Sequence, residues 1–243
     1  MFNRIAKRYG KDSNLQKPEN TILNICKNDL KNMTMLDIGV GGGRTSLHFM
    51  PLVKQYVAID YSEEMIQVCK KRFPEHKDQF KIADVRDLSA FDESSFDFVL
   101  FSFNGIDYIS HQDRIKAFSE IKRVLKTGGV FVFSSHNLQS DTLSNINYSF
   151  NPVKSLESII KSIYIKLSNS NIEILRQGGY ALIKDGGHFF KLKNYYIKPQ
   201  AQISQLSELG FSDIKLYSLY SGEEIISGFE AVKDPWLYYT CIS

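Results

Sequence analysis

Two carboxylates, those of Asp60 and Asp84, lie where apolar stretches of the chain end, and they could bind a ligand that carries hydroxyl or amino groups. Asp37 stands at the head of a glycine turn, and Asp60 and Asp84 follow two later apolar stretches. A carboxylate in such a place can accept two hydrogen bonds from a ribose diol. Asp60 follows the first glycine of the turn by about 20 residues, which is the spacing found in dinucleotide sites. These acids therefore predict a ligand that contains a nucleoside.

The glycine turn itself lies in the segment 33–44, MTMLDIGVGGGR, which predicts a strand, a tight turn and the start of a helix. Gly39 and Gly41 lack the Cβ atoms that would keep a ligand away from the backbone, and glycine readily adopts positive φ. The helix N-terminus adds a partial positive charge. An NAD fingerprint, G-x-G-x-x-G, would need a third glycine where Arg44 stands. The turn therefore disfavours NAD.

Other polar residues follow the same kind of stretch further along the chain. Ser102 and Asn104 lie at the end of the fourth predicted strand, and His136 directly follows the fifth. Histidine is the usual base near neutral pH, so His136 is the first candidate for a base or an orienting group. Tyr108 is the next candidate. The alternative for His136 is a hydrogen-bonded residue at a strand end that takes no part in chemistry.

The elements that must position these residues alternate between apolar strands and amphipathic helices. The predicted strands are 33–38, 55–60, 80–83, 96–103, 130–135, 211–220 and 236–242. Such alternation predicts an α/β fold with a mostly parallel sheet and helices on both faces. Ligands of such sheets bind beyond the carboxyl ends of the strands, where the candidate residues stand. The last two strands have no helix between them, which permits an antiparallel finish.

The alternation stops after His136, and the next 61 positions, 138–198, are too long for a structureless connection. A helix is predicted over 156–167, with strand-like runs over 172–176, 180–184 and 188–197. We interpret this segment as an inserted substrate cap over the ligand edge, in which His188 could complete the pocket; a surface decoration is the alternative. The predicted division is therefore 1–137 for the core with N-terminal lid helices, 138–198 for the cap and 199–243 for the rest of the core.

Composition and charge disfavour several classes of protein. The chain has 243 residues and a net charge of +3, too even a balance for a strong nucleic-acid binder. Its longest apolar runs are strand-sized, so no membrane partner is expected. Three widely spaced cysteines without a C-x-x-C pattern predict reduced thiols in the cytoplasm and no metal site. The expected partner is a small-molecule acceptor, and the expected state is a monomer or a homodimer.

Five motifs between residues 33 and 137 carry a resemblance to a known family: LDIGVGGGR, AIDYS, IADVRDL, FDFVLFSFNGIDYI and RVLKTGGVFVFSS. Together they resemble the class I S-adenosylmethionine (SAM)-dependent methyltransferases, although the family usually has proline where Thr127 stands. The resemblance implies a Rossmann-like, seven-stranded, mostly parallel sheet of order 3-2-1-4-5-7-6. It also implies SAM as the cofactor and S-adenosylhomocysteine as its product.

The resemblance assigns roles at the methionine and ribose end of the cofactor. Asp37 would orient the methionine amino group, directly or through water. Gly39 and Gly41 would let the methionine and ribose pass over the backbone, and Asp60 would hold the ribose hydroxyls. Tyr9 resembles the lid tyrosine that many such enzymes place over the cofactor.

The remaining cofactor roles concern the adenine and the methionyl chain. The Asp84 carboxylate and the backbone N–H of Val85 suit an adenine edge, and the family uses these positions in that way. Tyr61 could lie against the purine ring. The resemblance implies that Ser102 and Asn104 lie beneath the methionyl part.

The acceptor is less clearly indicated. SFNG stands where methyltransferases of exocyclic base nitrogens have [DNS]-P-P-[YFW], and no Pro-Cys pair suits pyrimidine C5 methylation. Only Asp107 is near the fourth and fifth strand ends, too few acids for a magnesium-dependent catechol-type site. The leading hypothesis is methylation of an oxygen or nitrogen atom of a small polar metabolite or a sugar or glycan precursor. A protein or RNA methyltransferase and a non-catalytic SAM-binding protein are the alternatives.

Overall fold

The computed structural model describes residues 13–143, 152–186 and 192–243. Tyr9 and His188, two of the predicted site residues, lie outside these ranges. The helices are α1 (Lys17–Leu30), α2 (Ser46–Phe49), α3 (Glu63–Arg72), α4 (His111–Val124), α5 (Pro152–Ser168), α6 (Ile172–Leu175) and α7 (Pro199–Glu208). No helix in the described part of the chain combines the length and the apolar composition that crossing a bilayer requires.

The described residues form one ten-stranded sheet. Its strands are β1 (Thr34–Ile38), β2 (Gln55–Asp60), β3 (Phe80–Ile82), β4 (Phe96–Phe101), β5 (Leu125–Asn137), β6 (Tyr180–Ile183), β7 (Asn194–Ile197), β8 (Ser212–Ser218), β9 (Glu224–Ile225) and β10 (Trp236–Ile242). The main order is β3-β2-β1-β4-β5-β10-β8-β9, and β10 runs antiparallel to both β5 and β8. The predicted fold and its order 3-2-1-4-5-7-6 are therefore confirmed, with β10 and β8 as the seventh and sixth strands. The observed sheet differs in detail because β6, β7 and β9 add to it.

The central strands are apolar because helices cover both faces of the sheet. In β4, Phe98, Val99 and Leu100 are at most 1% exposed. One apolar cluster joins the sheet to α4 and α7, and a second joins it to α1 and α3. Since β1 to β5 are mutually parallel, their carboxyl ends meet at one edge, where the candidate residues lie.

The helices begin and end where local sequence chemistry predicts. The Ser62 hydroxyl caps α3 by accepting a hydrogen bond from the backbone N–H of Met65 at 3.3 Å. Helix α2 has only four residues and gives way to a 3₁₀ turn that contains Pro51. The helix is short because a proline cannot continue an α-helix.

The segment 138–198 packs against the carboxyl end of β5. Strand β7 pairs in parallel with β5, with His136 opposite Tyr196, and β6 pairs antiparallel with β7. The strand predicted over 172–176 is wrong: this stretch forms α6, because the Asn171 side chain accepts a hydrogen bond from the backbone N–H of Glu173 at 2.9 Å and starts a helical turn.

Candidate active site

The glycine turn after β1 is held open by its backbone conformation and by neighbouring side chains. Gly39 has a φ of +65° and Gly41 a φ of +54°. A Cβ atom on Gly39 would lie 2.8 Å from the ring of Phe101. The thiol of Cys69, on α3, donates a hydrogen bond to the Gly41 carbonyl at 3.0 Å. The turn is thus ordered by the protein itself, and only glycine fits at position 39 without strain.

Asp60, at the end of β2, ties the turn to the next strand. Its Oδ2 accepts a hydrogen bond from the Gly41 N–H at 2.9 Å, and its Oδ1 accepts one from the Ser62 N–H at 2.9 Å. Burial raises the pKa of this carboxyl. A carboxylate has about four acceptor sites, so Asp60 keeps capacity for hydroxyl donors. Tyr61, beside it, is 81% exposed and free to meet a flat ligand group at the surface.

Asp37 lies beneath the turn rather than in an open cleft. Its Oδ2 accepts hydrogen bonds from the hydroxyls of Thr45 at 2.5 Å and Tyr56 at 2.6 Å. The side chain belongs to the buried set, at 1% exposure. Burial raises the pKa of Asp37 to about 6, against the opposing effect of these two hydrogen bonds. Asp37 therefore organises the turn and places a titratable group behind it.

A buried ion pair, which sequence reasoning missed, joins α1 to the turn. Arg44 donates to Glu19 from Nη1 at 2.5 Å and from Nη2 at 2.7 Å, and Glu19 is 1% exposed. The hydroxyls of Ser102 and Tyr238 also donate to Glu19 Oε1. Although burial opposes it, pairing with Arg44 leaves the pKa of Glu19 below its usual value. The network fixes Ser102 at the end of β4.

The third strand end is more open. Arg86 forms an ion pair with Asp84, with Nη2 to Oδ2 at 2.6 Å, and both side chains are about two-fifths exposed, at 42% and 39%. Hydrogen bonds from Arg86 lower the pKa of Asp84. Val85 is 8% exposed. Asp84 therefore remains ionised and reachable from solvent, as an adenine amino group would require.

The backbone is strained where β4 ends. Phe103 and Asn104 have φ values of 56° and 59°, a region that residues other than glycine rarely adopt. The Asn104 N–H donates to the Ser134 hydroxyl at 2.8 Å, and its Nδ2 lies 3.3 Å from Nε2 of His136. The Oδ1 atom of Asn104 is buried and has no hydrogen-bond partner among the described residues. Such strain and an unused acceptor are features of ligand sites.

His136 lies at the carboxyl end of β5 and is oriented by a buried aspartate. Its Nδ1 is 2.7 Å from Oδ2 of Asp107, which also accepts a hydrogen bond from the His136 backbone N–H at 2.7 Å. An ionised carboxylate beside Nδ1 selects the tautomer with the proton on Nδ1. Nε2 is then the basic nitrogen, and it lies next to Asn104. Sequence reasoning proposed His136 but missed its orienting partner.

The charge of Asp107 is balanced by Arg114, whose side chain is completely buried on α4. Nη1 of Arg114 donates to Asp107 at 2.6 Å, and both side chains are 0% exposed. Nη2 donates to Gln202 at 2.6 Å and to the Ser135 hydroxyl at 3.0 Å. The guanidinium also lies 4.6 Å from the ring centre of Tyr195. The one signal in the sequence was the position of Arg114 four residues before Phe118 on the inner face of α4.

A cavity of about 310 Å³ opens beside His136. It is bordered by β5, β7, α5 and the start of β10, and its lining residues are His136, Thr142, Leu143, Ser158, Ser162, Ile165, Asp185, Tyr196, Pro235 and Trp236. Asp185 accepts hydrogen bonds from Asn194 at 2.9 Å and from the Tyr196 hydroxyl at 2.8 Å. Tyr108 lies on the same short helical turn as Asp107, is 40% exposed and is not one of the lining residues.

The structure brings most of the predicted residues to one edge of the sheet. Asp60 contacts the glycine turn, Ser102 contacts the Arg44 guanidinium, and Asn104 contacts His136. The cavity then continues from His136 towards the segment 138–198. The glycine turn with its carboxylates and the cavity beside His136 therefore lie on either side of the ends of β4 and β5.

Comparisons with known proteins agree with this arrangement. Residues 36–133 match the family described as methyltransferase domain. A demethylmenaquinone methyltransferase of Leptospira interrogans is 30% identical over 146 residues, which are 54% of this chain and 57% of that protein. A malonyl-[acyl-carrier protein] O-methyltransferase of Buchnera aphidicola is 26% identical over 224 residues, which are 85% of this chain and 87% of that protein. The chain thus spans little more than half the length of the first of these relatives.

A solved SAM-dependent methyltransferase from Clostridium acetobutylicum has the same fold, with a TM-score of 0.66 at 19% identity, covering 99% of this chain and 98% of that one. The matched family region includes the glycine turn and most of β1 to β5. Residues 36–133 therefore match a methyltransferase domain, and the fold of the chain is that of this solved SAM-dependent methyltransferase.

The residues present fit SAM. The turn at Gly39 leaves the space that a Cβ atom would fill, and Asp60 and Asp84 offer carboxylate acceptors to hydroxyl and amino groups. The orphaned Oδ1 of Asn104 is a further acceptor, on the amide group whose Nδ2 lies 3.3 Å from His136. This set of hydrogen-bond acceptors suits a ligand that combines a nucleoside with an amino acid chain.

Proposed function

We propose that this protein transfers a methyl group from SAM to an oxygen or nitrogen atom of a small polar acceptor, such as a sugar or glycan precursor. The observation that carries the proposal is the array Asp107–His136–Asn104. It stands between the glycine turn and the cavity, with its basic nitrogen next to the strained end of β4. A base in this position suits an acceptor that must lose a proton.

On the donor side, the ten cofactor positions proposed from the family resemblance keep their roles in this proposal. The amino acid part of the cofactor would lie at Ser102 and Asn104, the ribose at Asp60, and the adenine between Val85 and Tyr61. The separate contacts of Asp60 and Asn104 to neighbouring strands support this arrangement because they bring the strand ends together. Bound SAM would supply a methyl group on a sulfonium, which is a good leaving group.

The chain's own residues then position the acceptor and move one proton. His136 would accept the proton of an acceptor hydroxyl or ammonium at Nε2 while Nδ1 donates to Asp107. Asp107 holds the ring orientation and stabilises the imidazolium that forms, and Arg114 is the counter-charge that pairs with Asp107 on its other oxygen. Since the leaving group is good, the rest of the catalysis is orientation and exclusion of water.

The lining of the cavity supports a small acceptor with hydroxyl or amino groups. Its volume, about 310 Å³, lies at the lower end of the range of about 300–1,000 Å³ for ligand pockets. Asp185, Ser158 and Ser162 bring acceptors and donors to one wall, and Trp236 brings a flat apolar surface to another. The relatives named for a demethylmenaquinone and a malonyl-acyl carrier protein act on different acceptors.

We place the chain in the cytoplasm because its three cysteines are unpaired thiols.

The proposal is tested in two stages with the full chain. Isothermal titration with SAM measures cofactor binding, and absence of binding would refute the donor half. A panel of sugars, amino sugars and small amines is then incubated with SAM, and S-adenosylhomocysteine is quantified by mass spectrometry.

The variant His136→Gln should bind SAM as the wild type does and lose turnover by about 10²–10⁴-fold. The matched control is His76→Gln, which changes an exposed histidine remote from the sheet edge and should leave turnover unchanged. Unaltered turnover in His136→Gln would remove the base from the mechanism. SAM binding without turnover on any acceptor class would favour a non-catalytic SAM-binding protein.

A further inference from the structure

Helix α5 shows a row of large aliphatic side chains to solvent. Leu156 is 57% exposed, Ile160 54%, Ile163 53% and Leu167 83%. Their spacing of four, three and four residues places them on one face of the helix. We call these four residues the aliphatic stripe.

The opposite side of α5 is already in use. Ile165 is 2% exposed and belongs to the apolar cluster beneath the segment 138–198. Ser158, Ser162 and Ile165 line the cavity beside His136. One side of the helix therefore packs on the protein and borders the cavity, while the aliphatic stripe on the other side faces water. Exposed apolar rows of this kind mark interaction surfaces.

The segment that contains the stripe differs in charge from the rest of the chain. The helix carries Lys154, Lys161 and Lys166 against a single acid, Glu157. Over 138–198 there are 8 lysine and arginine residues against 4 aspartate and glutamate residues, whereas the remaining positions hold 22 against 23. The segment that bears the stripe thus has a net charge of +4, and the remainder of the chain has −1.

We propose that the aliphatic stripe of α5 binds the surface of an anionic lipid bilayer. Helices that lie in a membrane interface combine a row of large apolar side chains with lysine or arginine residues nearby. Anionic headgroups attract basic segments at short range. The stripe and the positive segment that contains it supply both components. This inference does not depend on methyl transfer.

Size and composition favour a bilayer over a second protein molecule. The stripe is about 16 Å long, from 11 residue steps of helix, and presents on the order of a few hundred Å² of apolar surface. A stable protein interface needs about 800 Å² from each partner. Protein hot spots are also rich in tryptophan, tyrosine and arginine, whereas the stripe consists of leucine and isoleucine. Two copies of this segment would in addition bring like charges together.

The same helix borders the cavity with its inner side. A bilayer held by the stripe would therefore lie close to the acceptor pocket, on the far side of a single helix. An acceptor that dwells at the membrane surface would meet the pocket without diffusing through solution.

The test is vesicle flotation of the full chain. One set of vesicles contains phosphatidylcholine alone, and the other contains phosphatidylcholine mixed with phosphatidylglycerol. The stripe variant is Ile163→Ser combined with Leu167→Ser. The control variant is Ile25→Ser combined with Ile226→Ser, which changes two isoleucines that are 63% and 84% exposed elsewhere. Circular dichroism establishes that all proteins are folded, and light scattering gives their oligomeric state.

The wild type and the control should float with the phosphatidylglycerol vesicles and release them at high salt. The stripe variant should lose binding by about tenfold or more, because each aliphatic side chain contributes through its buried area. No flotation of the wild type, or equal flotation of the stripe variant, would overturn the proposal. Equal binding to both vesicle types would remove the anionic preference. If the wild type and the control are dimers and the stripe variant is a monomer, the stripe is instead a contact between two copies of the chain.

Discussion

The substitution Asp107→Asn removes the negative charge that Arg114 and His136 share. Arg114 donates to one oxygen of Asp107 at 2.6 Å, and Nδ1 of His136 lies 2.7 Å from the other. The Arg114 and Asp107 side chains are both 0% exposed, so water cannot replace the lost partner. An asparagine of almost the same shape would leave a guanidinium buried without its counter-charge.

The size of the effect follows from that burial. Breaking a buried ion pair by neutralising one partner costs about 3–5 kcal/mol, a large part of the about 5–15 kcal/mol that stabilises a typical domain. For a chain of this length, about 2–4 °C of melting temperature accompanies each kcal/mol, so a fall of roughly 6–20 °C is expected. The fixed tautomer of His136 is lost as well, and turnover should fall by about 10²–10⁴-fold.

Urea unfolding and turnover together separate the two roles of Asp107. The double variant Asp107→Leu/Arg114→Met should regain much of the stability, since apolar replacements of a buried pair are often neutral or stabilising. It should not regain turnover, because His136 still lacks its partner. Glu173→Gln is the control; it breaks an exposed ion pair with Arg176 and should cost at most about 1 kcal/mol.

Two results would refute this reasoning. If Asp107→Asn unfolds at the same urea concentration as the wild type, the buried pair does not stabilise the fold as the contacts imply. If the double variant recovers turnover, Asp107 does not position His136.

Three further predictions concern single residues. Burial raises the pKa of Asp37 from 3.8 to about 6, so the folded state binds more protons than the unfolded state between these values and stability falls as pH rises through them. Asp37→Asn should abolish this loss of stability, which is about 3 kcal/mol. Urea unfolding between pH 3.8 and about 6 measures it, and a free energy of unfolding that still falls with pH in the variant would contradict the prediction. Gly39→Ala should lower the free energy of unfolding by roughly 2–4 kcal/mol, because of the positive φ and the contact with Phe101. It should also weaken SAM binding. If calorimetry gives the wild-type melting temperature and the wild-type affinity for SAM, the turn does not have the role inferred for it. Asp185→Asn should raise KM for an acceptor that bears an amine by about tenfold or more while kcat changes little, and a fall in kcat alone would argue that Asp185 does not bind the acceptor.

The central sheet was predictable from the sequence because its signals are local. Apolar strands of five to six residues alternate with amphipathic helices, and Pro51 ends α2 where expected. The segment around α6 was not predictable, because its β-branched residues favour a strand, whereas one hydrogen bond from the Glu173 N–H to the Asn171 side chain starts a helical turn. Pairing of β7 with the end of β5 joins residues 60 positions apart, such as His136 and Tyr196. No local pattern encodes such a contact.

The same distinction explains which site residues were proposed and which were missed. Asp60 and His136 stand at strand ends, where position along the chain already implies position in space. Glu19 and Arg114 lie on helices, and charged residues on helices are mostly exposed. Their burial depends on partners 25 positions away for Glu19 and 88 positions away for Arg114. Sequence spacing carries no information about such pairs.

Two buried ion pairs flank the end of β4, and their position suits the proposed reaction in addition to any contribution to stability. Glu19–Arg44 lies on the side of the glycine turn, and Asp107–Arg114 lies on the side of the cavity. Burying such pairs is seldom more stabilising than apolar packing, yet both occur where Phe103 and Asn104 adopt positive φ. Fixed charges in a site closed to water act strongly on charge that develops or moves there. In the proposed function the strained turn at the end of β4 is where a sulfonium and a base would face each other, and rigid charges on both sides would hold this turn for methyl transfer.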